Sequence, residues 1–166
     1  MAAILGMGMS CRLFTKVREQ QGLAYNIFAD HVQFTDTGMF SVYAGVTLEK
    51  TDRAIESIIE ELERIAKEPV GEGELAKAKR QLVASLEMAL ESNSAVADRL
   101  ASQLILLGRV KPISETVAEI NSVTAIEIRD LAADMLKKQN LRLAIIAPDP
   151  DSLEEHFKTI ITKEEE

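Results

Sequence analysis

Gly6-Met7-Gly8-Met9-Ser10-Cys11-Arg12-Leu13-Phe14, continuing through Val17-Arg18-Glu19 to Gly22-Leu23-Ala24-Tyr25, is the stretch that decides the fold. The spacing predicts a helix over about residues 2–20 that opens on small residues and stops at Gly22. The chain then turns directly into a strand. Near that turn the sequence sets a guanidinium at Arg18 and a phenol at Tyr25.

Working outward, 23–34 and 39–46 read as two strands joined by turn chemistry at Thr35–Gly38, an antiparallel hairpin with one apolar face. In the first strand Ala24, Phe28, Val32 and Phe34 take one parity, and Tyr25, Ile27 and His31 the other. In the second, Phe40, Val42, Ala44 and Val46 alternate with Ser41, Tyr43 and Gly45. From 52 to 67 the period becomes helical, with Ile55, Ile58, Ile59, Leu62 and Ile65 in a stripe and Glu60, Glu61, Glu63 and Arg64 on the wet side.

Breaks at Pro69–Gly73, Ser92–Ser94, Gly108 and Pro112 separate further helices. Thr124 and Glu127 form a capping box for the last of them. Leu141–Ala147 reads as a third strand, closed by Pro148-Asp149-Pro150. The expectation is an α+β fold, an antiparallel-rich sheet with a layer of helices packed on it. One domain is expected over 1–150, followed by a short acidic tail over 151–166.

The chain has 166 residues, 46% hydrophobic, which suits a globular domain with its own core. Its formal net charge of −8, with scattered Lys and Arg, argues against nucleic-acid or anionic-membrane partners. No apolar run approaches the roughly 18 residues of a membrane helix, and the N-terminus lacks the basic and apolar regions of a signal peptide. A cytoplasmic location is therefore expected. Cys11 is the sole cysteine, which rules out an intramolecular disulfide and favours a structural thiol over a nucleophile.

Two tempting motifs fail on spacing. A dinucleotide fingerprint begun at Gly6-Met7-Gly8 would need glycine where Cys11 stands, and no strand precedes it. A nucleophile elbow centred on Ser10 would need glycine at Arg12. The opening glycines are better explained by close approach of helix and neighbouring backbone. His31, beside Asp30 on a strand, reads as a surface or hydrogen-bonded polar group instead of a metal ligand or triad member.

In order along the chain come the small-residue run, Arg12-Leu13-Phe14, Val17-Arg18-Glu19, Gly22-Leu23-Ala24-Tyr25, Asp36-Thr37-Gly38 and Tyr43-Ala44-Gly45. This ordered set resembles the second half of the M16 zinc metallopeptidases, the pitrilysin, insulysin and mitochondrial processing peptidase family. The resemblance covers nearly all of the chain and implies a LuxS/metallopeptidase-type half-domain. Against the family pattern the leading strands are absent, so Met1 is expected to be an artificial or secondary start in a longer coding unit, and either a partner covers the sheet edge left open or the fold is rearranged.

The family's zinc motif, H-x-x-E-H, supplies two imidazoles and a carboxylate on one helical face. This chain has only His31 and His156, and Ser152 stands where the first imidazole would be needed. The resemblance thus implies no catalytic or metal-binding residue here, with zinc in a partner half. It assigns Arg18 and Tyr25 to substrate binding, holding a peptide against that half. The partners implied are a peptide substrate, a zinc-bearing M16 half or subunit, and a homo- or hetero-oligomer. The rival is an M16-like scaffold or assembly module that has lost any peptidase role.

Overall fold

The computed structural model describes residues 1–148; the expectations for Asp149-Pro150, for Ser152 and His156 and for the acidic tail lie outside the described residues. The segment expected to be one N-terminal helix is divided. Helix α1 spans Ala2–Gly6, Met7 is extended, and Gly8 turns the chain with φ of 80°. Helical structure resumes before a π-helical segment, Phe14–Gln20. Carbonyls freed in the break are taken up by side chains of α3 (Glu72–Ala89): Gln81 Nε2 donates to Met7 O at 3.1 Å and Lys77 Nζ to Ser10 O at 3.4 Å. A glycine pair thus ends the helix where periodicity alone would carry it through.

Strands β1 (Ala24–Gln33) and β2 (Gly38–Val46) pair antiparallel, with Phe28 opposite Tyr43 and Ala29 opposite Val42. Ala24 faces Val46 but Asn26 faces Gly45, so Tyr25 is the extra residue of a β-bulge. The bulge corrects the expected parity. Beyond it Ile27 and Ala29 join Ala24 in the core, while Phe28 and Val32 lie on the outer face. There Phe28 stacks on Tyr43, with ring centroids 5.1 Å apart. The hairpin is therefore apolar on both faces. β2 behaves as read: Phe40, Val42, Ala44 and Val46 pack against the core.

The expected third strand is not formed. Leu141–Ala147 makes no ladder, and Leu143 and Ile146 are exposed. Apolar, β-branched composition favours a strand only where a neighbouring strand and a buried face exist, and none lies beside this segment among the described residues.

The helical layer follows the sequence breaks closely. Besides α3 it comprises α2 (Thr51–Lys67), α4 (Asn93–Leu107), α5 (Ile113–Ser122) and α6 (Ala125–Met135). The Thr124–Glu127 capping box is present in both directions, and Gly108 ends α4 in the left-handed conformation. α2 packs against α6 and the π-helical segment, α1 against β1, and α3 against α1 and α5. The core gathers Leu5, Leu13, Val17, Ile27, Ile65 and Ala132, with helices on one side of the hairpin. No helix among the described residues is long and apolar enough to cross a membrane.

Gly73 lies in the first turn of α3, and a Cβ added there would have no described atom within 4 Å. Gly73→Ala should therefore stabilise the chain by about 0.5 kcal/mol through the unfolded state. Urea midpoints of the two proteins check this, and a loss of stability would mean a constraint on α3 that the packing does not show.

Candidate functional site

Arg18 lies in the last turn of the π-helical segment and Tyr25 in the bulge of β1, on either side of the turn Gln21–Leu23. Four bonds hold that turn. Gln21 N–H donates to Lys16 O at 3.2 Å, Gly22 N–H to Arg18 O at 3.1 Å, and Leu23 N–H to Val17 O at 2.9 Å. From outside the turn, Lys50 Nζ donates to Gly22 O at 2.9 Å. Gly22, at φ of 61°, supplies the left-handed residue that such a helix end requires. Val17 and Leu23, on each side, are buried in the core.

Both expected site residues are exposed on this braced turn. Tyr25 is 90% exposed, because the bulge turns it out of the alternation that buries Ala24 and Ile27. The Arg18 guanidinium rests over the Phe14 ring, 4.6 Å from its centroid, a cation–π contact across one helical turn. That contact leaves the guanidinium N–H groups without a hydrogen-bond partner among the described residues. No hydrogen bond joins Arg18 to Tyr25. The structure places the two on one turn without linking them. The guanidinium and the phenol can each donate to the carbonyl oxygens of a ligand.

The segment carrying Arg18 is anchored beneath by ion pairs. Arg12 makes a two-bond fork with Glu74 of α3, Nε to Oε1 at 2.8 Å and Nη2 to Oε2 at 2.7 Å. The hydrogen bond to Glu74 is the main influence raising the Arg12 pKa. Lys16 binds Glu60 at 2.8 Å and Glu61 at 3.2 Å, and its pKa is raised chiefly by the bond to Glu60. Arg12, Lys16, Glu61 and Glu74, with Cys11 and Arg64, line a cleft of about 280 Å³. Its cations each have a carboxylate partner, while Arg12 Nη1 is buried with no hydrogen bond among the described residues. Burial pushes the Cys11 thiol up, which disfavours the thiolate a nucleophile needs.

The zinc site of the resembled family finds no fit on the described residues. No group of three or more His, Cys, Asp or Glu is gathered there to hold a metal, and His31 is exposed, its backbone N–H donating to Asp30 Oδ1 at 2.7 Å.

Helical periodicity puts Glu61 in water, and the structure corrects this. Glu61 is buried on the face of α2 that meets the π-helical segment, along with Ala54, Ser57 and Ile65. Periodicity also misses the role of Phe14, although an aromatic four residues before a cation on a helix is a readable signal.

Comparison with known proteins agrees with this architecture. The family model described as the peptidase M16 inactive domain matches residues 1–82. An uncharacterized zinc protease of Bacillus subtilis, YmxG, is 33% identical over 145 residues, covering 87% of this chain and 35% of that protein. A second uncharacterized zinc protease, from Streptomyces coelicolor, is 33% identical over 147 residues, covering 89% of this chain and 32% of its own length. The chain thus spans about a third of the length of these relatives. The crystal structure of a peptidase M16 inactive domain from Pseudomonas fluorescens shares the fold, with a TM-score of 0.68 at 22% identity over 86% of this chain and 32% of that one. In fold, in the order of its motifs and in these likenesses, the chain belongs to the M16 peptidase family, to its inactive, C-terminal domain.

Proposed function

We propose that this chain is the substrate-holding, non-zinc part of an M16-type zinc metallopeptidase, and that Arg18 and Tyr25 grip the backbone of an extended peptide. The observation that carries this reading is the braced turn. Two exposed side chains with uncommitted donors flank a segment held by four hydrogen bonds and packed on buried Val17 and Leu23. Such rigidity means that little ordering entropy is lost when a ligand is bound. The guanidinium would hold peptide carbonyls, and the phenol would donate to a carbonyl oxygen that gains negative charge. Hydrolysis itself belongs, in this proposal, to a zinc-bearing half or partner subunit. The names of the relatives, zinc proteases of which this chain spans about a third, support that division. The hairpin has no third strand among the described residues, which leaves edges where a partner strand or a second copy could pair.

The chain alone should therefore retain no stoichiometric zinc after dialysis and should cleave no unfolded peptide. Mixing it with a zinc-bearing M16 half should give a stable complex on size exclusion and chelator-sensitive cleavage. One tightly held zinc per isolated chain, removed by chelator with loss of hydrolysis, would overturn the proposal. A stable complex without any cleavage would favour the scaffold reading.

A further inference from the structure

The buried carboxylate of α2 has no place in the turn that carries Arg18 and Tyr25. Glu61 is 2% exposed, with Lys16 Nζ at 3.2 Å and Arg64 Nη1 at 3.7 Å. Replacing a buried ion pair by apolar side chains is often neutral or stabilising, so stability alone does not account for a carboxylate here. What the pair does is local. Lys16 is the residue whose carbonyl accepts the Gln21 N–H, the five-residue bond that gives this segment its wide π register. Two positions on stands Arg18. If the Lys16 carbonyl bonded one residue earlier, the chain beyond it would turn by roughly 100°, the angle per residue of a 3.6-residue helix. Phe14 and Arg18, four residues apart, would stay neighbours in either register, but the Gly22 cap would lose its alignment and Tyr25 beyond it would turn relative to Arg18. Exposed Glu60 also holds Lys16, but only Glu61 does so from within the packed face of α2.

We infer that Glu61 is a positioning residue: by pairing with Lys16 across the contact between α2 and the π-helical segment, it holds the register that sets the turn between Arg18 and Tyr25. The inference rests on the reading of Arg18 as a substrate contact for its functional meaning, but its test does not. In the isotopically labelled 166-residue chain, one signal reports the register and a second serves as its control. The register is reported by protection of the Gln21 and Leu23 amides, which bond to Lys16 and Val17. The control is the upfield ring-current shift of the Arg18 side-chain protons over Phe14, a four-residue contact that either register keeps.

Glu61→Leu leaves Lys16 with Glu60 and Arg64 with Glu68, so the melting temperature should change little, yet exchange of those two amides should speed at least tenfold while the ring-current shift persists. Glu61→Gln, which still accepts a bond from Lys16, should retain most of the protection. Lys16→Met attacks the pair from its more exposed end, and serves if Glu61→Leu does not fold; it should show the same selective loss. Unchanged exchange of the Gln21 and Leu23 amides in a folded Glu61→Leu or Lys16→Met protein would overturn the inference. So would a uniform acceleration of all core amides with a lowered melting temperature, which marks a merely structural role. Selective loss of register with undiminished peptide cleavage, measured beside a zinc-bearing half, would support the positioning role and remove the substrate-grip reading of Arg18.

Discussion

Gly6→Ala should destabilise the chain by about 3 kcal/mol, near the upper end of what overpacking a core costs. A Cβ at Gly6 would stand 1.8 Å from the backbone nitrogen of Ala29 and 2.5 Å from its Cα. Those atoms belong to β1, where Ala29 is paired with Val42, so they cannot swing aside as a side-chain end could. Either α1 lifts from the sheet, exposing Ile4 and Leu5, or the ladder breaks. Alanine's better helix propensity offsets only about 1 kcal/mol, and less at the last residue of a helix. The clash wins. Denaturant unfolding of Gly6→Ala beside Gly73→Ala makes the comparison, since the same change in α3 meets open space. A shift at Gly6 below about 0.5 kcal/mol, the range of an ordinary surface change, would mean that α1 does not pack against β1 in this way.

The same glycine shows how much the sequence disclosed. Small residues opening the chain signalled a close backbone approach, and the structure names the partner as Ala29. Punctuation was equally legible. Gly22, Gly108 and the Thr124–Glu127 box each end or begin a helix through chemistry local to a few residues. What failed is what tertiary contact decides. The phase of β1 is reset by one extra residue at Tyr25, and a two-residue period carries no warning of that. Glu61 looks solvated in a helical projection, because the closer of the two cations that make its burial tolerable, Lys16, lies far away in sequence. Leu141–Ala147 has strand composition and, among the described residues, no strand to join. Of the candidate site, the sequence proposes Arg18 and Tyr25 but discloses neither the π register of the segment that carries Arg18 nor its contact with Phe14.

In the chain paired with a zinc-bearing half, Arg18→Ala or Tyr25→Phe should cut peptide turnover by about one to two orders of magnitude. A hydrogen bond to a charged group is worth about 1.5–3 kcal/mol, which converts to that range of rate. Folding should barely notice. Arg18 and Tyr25 are exposed and hydrogen-bond to no other side chain among the described residues. Loss of one stacked guanidinium from the Phe14 ring at an exposed site is worth about 0.5–1 kcal/mol. The two variants should also differ in kind. Removing the guanidinium takes away a grip on the ground-state peptide and should raise KM along with any loss of kcat. Removing only the phenol hydroxyl takes away a donor to a developing negative charge and should act mainly on kcat. Full kinetic curves beside thermal melts of the same proteins separate these outcomes. Undiminished turnover in both variants would remove the peptide-holding role and leave an M16 fold serving as a scaffold. Losses of activity that merely track losses of stability would put both side chains in the service of the fold. A KM effect at Arg18 beside a kcat effect at Tyr25 is the pattern that a braced turn with two free donors requires.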